Sequence, residues 1–304
     1  MKDYKQTISI IQDELQQVDR YLKKMILTEK SFLSDKFLDF CFYKAKKIRS
    51  VTTILFIKSI FGKVSPLQIR ICALVELLHN ASLIHDDIID NSDLRRNKPS
   101  FNNLFDNKTA VLAGDFLLAS ALKELSEINI PQITVLFSNA LLKICSGEIE
   151  QISEKNKITS IDRYLEKSEK KTSELFKLAI NCSLFAERQT QYLNIGNEFG
   201  KSFGIAFQIR DDLLNFTSQN CGKPSGNDIL QGIYTAPSIY YFNSHEFEKI
   251  DETTIEKIKK SSAISETKIL LEKFVKQTLD LTKNFTDNQY KQALTDLCRL
   301  LEKA

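Results

Sequence analysis

His79–Arg96 reads HNASLIHDDIIDNSDLRR. Its first half continues an apolar helical pattern that begins at Pro66, with Ile69, Cys72, Ala73, Leu77, Ala81 and Ile84 at helix spacing. Asp86 and Asp90 stand at i and i+4, so they share a face of that helix, with Asp87 beside them. Three carboxylates this close repel one another unless cations neutralise them. Hard oxygen ligands suit magnesium, which keeps several waters and takes further ligands from phosphates. Arg95 and Arg96 follow, and guanidinium forks match phosphate oxygens. The stretch sets a metal-ready group of acids next to an anion-ready pair of arginines.

A second stretch, FGIAFQIRDDLLNF at 203–216, repeats this logic. Asp211, Asp212 and Asn215 keep the same spacing, and Asn215 offers an oxygen without a charge. Gln208 lies among Phe203, Ile205, Phe207 and Ile209, where it can face inward with the acids. Taken singly, either cluster could be a charged surface, and His79 could be a satisfied core histidine. Two acidic clusters on apolar helices, with His79 two turns before Asp86, favour a site. Opposing clusters of this kind could hold several metal ions around one diphosphate. The ions would stabilise a departing diphosphate, and a cavity that excludes water would protect the cation left behind.

The rest of the chain also reads as helix. Apolar periodicity runs through 5–28, 66–90, 110–127, 131–154, 161–196, 197–216 and from Pro237 to the end. Gly62–Pro66 breaks the chain, 91–105 and 219–232 are loops, and a polar gap falls near 261–266. With only 9 Gly and 5 Pro in 304 residues, long helices are favoured over sheet. An all-α fold with one domain spanning 1–304 is the simplest arrangement. The net charge of +3 (42 basic minus 39 acidic) argues against a nucleic-acid partner. Six scattered cysteines without CxxC spacing speak against a disulfide framework or zinc site and for a reducing compartment, cytoplasm or organelle stroma. The amino terminus lacks a signal-peptide pattern, and no apolar run approaches the roughly 20 residues of a membrane span.

The chain resembles the trans-prenyl diphosphate synthase family along nearly its whole length. The matching stretches are HNASLIHDDIIDNSDLRRNKPS, VLAGDFLLA, GEIEQ, YLEKSEKKT, FGIAFQIRDDLLNF and GKPSGNDILQGIYTAP, in the family's order. The resemblance implies an all-α isoprenoid-synthase bundle around a deep central cavity, usually a homodimer, with a heteromer as the alternative. It also implies head-to-tail condensation of isopentenyl diphosphate with an allylic diphosphate. By match, Asp86, Asp87, Asp90, Asp211 and Asp212 bind up to three magnesium ions and the allylic diphosphate. Arg95 falls on the allylic diphosphate, and Lys46, Arg49, His79 and Arg96 on isopentenyl diphosphate. Lys171, Thr172 and Gln208 line the allylic site, and Lys223 belongs to the loop that closes over it.

Three departures stand out. The family's GKRxRP motif is here Ala45–Ser50, AKKIRS, without its Gly and Pro. Asn215 replaces the last acid of the second cluster, and Ile233 stands where many members carry lysine. Ser82, one turn or about 5.4 Å below Asp86, and its neighbour Ala81 are small, which in similar enzymes lets the product grow to roughly C30 to C50, the quinone side-chain range. This matches synthases of the solanesyl, heptaprenyl and octaprenyl type. The alternatives are a weakly active or regulatory subunit of a heteromeric synthase, a terpene cyclase, or a histidine–aspartate phosphohydrolase. The last leaves Asp90, Asp211 and Asp212 unexplained.

Overall fold

Ser65 starts the helix that carries the first acidic cluster. Its hydroxyl accepts from the Gln68 amide while the Gln68 side chain accepts from the Ser65 amide, a reciprocal cap completed by Pro66. The computed structural model describes residues 2–217, 226–246 and 250–303. In order, the helices that matter here are α1 (Gln12–Ile26), α2 (Ser34–Phe42), α3 (Ile48–Phe61), α4 (Pro66–Ile89), α5 (Asn107–Ile128), α6 (Pro131–Ser153), α7 (Ile161–Ser168), α8 (Glu174–Ala186), α9 (Leu193–Thr217), α10 (Ala236–Ser244), α11 (Glu252–Lys260), α12 (Ser262–Leu281) and α13 (Gln289–Arg299). A two-residue antiparallel ladder, Leu94–Arg95 (β1) with Lys98–Pro99 (β2), is the sheet among the described residues. The all-α expectation holds.

By its contacts the chain divides into two compact units. One comprises Ile8–Phe137 and Leu178–Gln191, the other Met1–Thr7, Ser138–Lys177 and Tyr192–Ala304. In the first, α4 packs on α5, α1 and α3. Its apolar side chains from Ile69 to Ile84 are buried, apart from the half-buried Leu83, and Phe37 stacks on Phe101 and Phe116 at 5.6 and 5.3 Å. Ion pairs Lys58–Glu14 and Lys47–Asp19 tie α3 to α1. In the second, α9 packs on α12, and Phe203 meets Phe176 and Phe199 at 5.1 and 5.9 Å.

Several boundaries differ from the sequence reading. The α4 helix is long and apolar enough to pass for a membrane span, against the expectation that no run comes near one. Yet 72% of that window is buried inside the protein, as in a core helix. The break expected at Gly196 lies earlier. Arg188 takes a left-handed φ of +56°, and the amides of Arg188 and Gln189 close α8 on Phe185 and Leu184. Gly196 is buried inside α9. The polar gap near 261–266 shrinks to Ser261, which caps α12 through its hydroxyl on the Ala263 amide. Gly62, at φ +72°, ends α3 as a left-handed cap.

Between α7 and α8 the helix widens into a single π-turn, Glu169–Ser173, closed by the Glu174 amide on the Glu169 carbonyl. Gly204 of α9 lies against it, and a Cβ there would meet the Ser173 Cα at 2.5 Å. A Gly204→Ala change gains about 1 kcal/mol of helix propensity. Forcing backbone apart costs about 1–3 kcal/mol, so a net loss of stability should appear as a lowered urea midpoint. A midpoint at or above that of the parent would rule out this close contact.

Candidate active site

In the first unit, the end of α4 and the hairpin after it hold the first acidic set. Asp87 is fully buried, and Arg95 of β1 grips it with Nε at 3.0 and 3.2 Å from its two oxygens and with Nη2 as well. The buried carboxylate is thereby matched by the charge and geometry it needs. Its neighbours are more accessible: Asp86 is half-buried and Asp90 exposed. His85 lies 3.3 Å from Asp115 of α5.

The basic set surrounds His79. Burial, then the charges of Arg49, Arg96 and Arg95, push its pKa well below the usual histidine value, so the ring is neutral. Arg96 donates to the Phe40 and Tyr43 carbonyls at 2.8 and 3.3 Å. Arg95, Arg96, Lys36, Tyr43 and Lys98 line a cavity of about 300 Å³. Lys46 is exposed and Arg49 buried. The turn before α3 uses left-handed φ angles at Lys44 and Lys47, both +49°. Ser50, where the family motif has proline, donates from both its amide and its hydroxyl to the buried Glu76 carboxylate, at 3.1 and 2.9 Å. A proline has no N–H to make the first of these.

In the second unit, α9 carries Gln208, Asp211 and Asp212. Asp212 is buried and held on both sides, by Tyr164 Oη at 2.5 Å and Gln208 Nε2 at 2.9 Å. Burial pushes its carboxyl up to about 8, against the pull of those two hydrogen bonds. The Tyr164 hydroxyl is itself pushed well above its usual range by burial and by Asp212. Thr172 Oγ1 donates to Gln208 Oε1 at 2.6 Å, completing a chain Thr172–Gln208–Asp212–Tyr164. Asp211, one residue earlier, is exposed. Lys171, in the π-turn, pairs with Glu148 at 2.7 Å and donates to Gln151 at 3.0 Å. Lys223 lies outside the described residues.

Asn215 closes a loop. Its Nδ2 donates to Asp228 at 2.5 Å, and its Oδ1 accepts from the Gly226 amide at 3.1 Å. An acid at 215 would repel Asp228. Tyr164, Glu148, Gln151 and Asp228 escaped the sequence reading as individual site residues. Their only sequence signal is membership of the YLEKSEKKT, GEIEQ and GKPSGNDILQGIYTAP stretches.

Among the described residues, no three His, Cys, Asp or Glu side chains gather into a ready metal cage. Each unit instead presents less buried acids, half-buried Asp86 and exposed Asp90 in one and exposed Asp211 in the other. Few carboxylates with room for waters and phosphate oxygens fit magnesium, which is rarely held by an all-protein cage.

Such a helical chain, with acidic sets and a cluster of arginines, has the make-up of an enzyme that handles diphosphates. Residues 32–274 match the polyprenyl synthetase family. The decaprenyl-diphosphate synthase of Dictyostelium discoideum is 34% identical over 260 residues, covering 84% of this chain and 56% of that protein. Heptaprenyl diphosphate synthase component 2 of Bacillus subtilis (strain 168) is 31% identical over 319 residues, covering 99% of this chain and 90% of that one. The crystal structure of heptaprenyl diphosphate synthase from Staphylococcus aureus matches with a TM-score of 0.89 at 28% identity, over 97% of this chain and 98% of the other. The chain belongs to the polyprenyl synthetase family and is a prenyltransferase, of a family that works with divalent ions of the magnesium type.

The neutral His79 has a consequence for stability. Its folded pKa lies below the free value of 6.5, so below that pH the unfolded chain takes up a proton that the folded ring refuses. Stability tied to this ring is complete above pH 6.5 and falls as the pH drops below it, by at most about 1.4 kcal/mol per unit. Urea denaturation at about pH 7 and about pH 5 should show a shallower loss for His79→Gln than for the parent. Equal losses would mean the ring is not held neutral.

Proposed function

We propose that the chain condenses isopentenyl diphosphate head-to-tail with an allylic diphosphate and releases a long-chain all-trans prenyl diphosphate of the quinone side-chain kind. The whole chain, 1–304, works as one synthase domain. The observation that carries this reading is the division of labour within each acidic set: one acid buried and hydrogen-bonded, its neighbours outward.

Asp86 and Asp90 in one set, and Asp211 in the other, would hold magnesium. Asp87 and Asp212 fix the backbone of each set through Arg95 and through Tyr164 with Gln208. Magnesium held there would supply charge to stabilise the departing allylic diphosphate. Arg95, Lys171, Thr172, Gln208 and Lys223 orient that diphosphate. Lys46, Arg49, His79 and Arg96 hold isopentenyl diphosphate, and the neutral His79 donates a hydrogen bond without adding charge. The departing diphosphate takes the final proton, so no protein base is needed.

The product grows along α4, away from Asp86. Ala81 is buried there, and Ser82 turns its hydroxyl back onto the His79 carbonyl at 2.9 Å, so both positions contribute only small side chains at that level. This supports a product of roughly C30 to C50, each helical turn adding about 5.4 Å of depth.

The partner is a second copy. Leu142, Cys145, Ile149 and Ile152 are all exposed on one face of α6, at the 3-4 spacing of a helix-packing seam. A heteromeric assembly is the second reading, favoured by the name of the B. subtilis relative, a component 2.

Purified chain supplied with magnesium, labelled isopentenyl diphosphate and three allylic primers should turn over alone. Its dephosphorylated products should run as long chains, and Ala81→Phe should shorten them. A dominant C15 or C20 product overturns the chain-length assignment. Activity that appears only with a partner protein favours the heteromer.

A further inference from the structure

The π-turn between α7 and α8 carries Lys171 and Thr172, yet nothing in its sequence, EKKTS, requires a π register. A π-turn adds one residue to the helical ring. If it relaxed to α, side chains on one side would rotate by about 100° relative to the other. Lys171 then would leave Glu148 and Gln151, and Thr172 would leave Gln208. Something has to hold the wider turn.

The holding group is a chain of charges around Lys177. Lys177 lies on α8, one turn past the bulge, and is buried, with 7% of its surface exposed. Its ammonium reaches back to Glu169, the first residue of the π-turn, at 3.0 Å. It also meets Glu174, the first residue after the turn, at 2.7 Å. Glu169 and Glu174 thus bracket the turn, and one cation joins them across it. Each acid has a second cation from outside: Lys201 of α9 on Glu169 at 2.8 Å, and Lys143 of α6 on Glu174 at 3.0 Å. Beneath the clamp, Gly200 lets α9 approach the Lys177 backbone, where a Cβ would come within 2.8 Å.

The parts fit one purpose. A buried lysine is costly without partners. Here it has two carboxylates, one on each side of the bulge, and they outweigh the burial that would lower its pKa. A relaxed α register would move Glu169 relative to Glu174 and break at least one arm. The network therefore favours the π register over the α register.

We infer that Lys177 is a positioning residue: it bridges Glu169 and Glu174 across the π-turn and so sets where Lys171 and Thr172 meet the allylic diphosphate. This rests on the proposed function for the role of Lys171 and Thr172, but not for the clamp itself.

The test has two readouts on the full chain. The first is amide hydrogen exchange across 169–174 without substrate. The second is the KM for the allylic diphosphate beside the KM for isopentenyl diphosphate. Lys177→Met should speed exchange across the turn and raise the allylic KM about tenfold, leaving the isopentenyl KM within about twofold. Lys177→Arg should restore both. If Lys177→Met fails to fold, the double variant Lys177→Met with Glu174→Gln, which removes one charge of each sign, takes its place, and Glu169→Gln tests the other arm. Unchanged exchange across 169–174 in a folded variant overturns the clamp, and so do equal rises in both KM values. Lys171→Ala separates the two ideas. An unchanged allylic KM in that variant overturns the role proposed for Lys171, while the exchange measurement still decides the clamp.

Discussion

A carboxylate cannot be buried without donors to replace the water it loses, and the candidate site is organised around that constraint. Asp87 and Asp212 are the buried members of the two aspartate sets, at 0% and 3% exposure. Arg95 supplies the donors in one case, Tyr164 and Gln208 in the other. Each buried acid sits beside an outward acid on the same helix, so anchoring the first aims the second. The Arg95–Asp87 pair also pins the β1–β2 hairpin to the end of α4, which sets the position of Arg96 beside Phe40 and Tyr43. Remove the arginine and a buried charge loses its matched cation, a loss of about 3–5 kcal/mol. One contact therefore fixes two acids and two arginines.

Much of this was legible in the residues themselves. Pro66 and Pro131 announce helix starts, and the apolar spacing of α4 and α9 places their acids on helix ends. The two clusters, their spacing and their arginines needed no coordinates. The partners did. Tyr164 and Asp212 are 48 residues apart, and Lys171 and Gln151 are 20 apart, distances over which no local periodicity speaks. The π-turn was invisible for a related reason. Its residues are ordinary helix formers, and the register is decided by Glu169, Lys177 and Lys201 together. The break misplaced at Gly196 shows the opposite error. A glycine was read as a stop, although the stop is a left-handed arginine and the glycine is simply buried.

The departures from the family pattern also change meaning. Losing Gly and Pro from AKKIRS need not lose the turn, because Lys44 and Lys47 adopt the left-handed angles instead. Each costs of order 1 kcal/mol or more. Against that, Ser50 makes two hydrogen bonds to Glu76, each worth about 1.5–3 kcal/mol to a charged acceptor. The balance favours keeping Arg49 and Lys46 at the head of α3. Nothing in the structure explains Ile233.

Asn215 is the most informative departure. An acid at this position would face Asp228 and need a cation to be held there. The amide satisfies Asp228 with its own N–H and takes the Gly226 amide with its oxygen. The loop at 226–230 is thus closed by the protein alone, whether or not metal is present. The cost is one negative charge fewer in the second set, and Asp212, pushed up to about 8, withholds another near neutral pH.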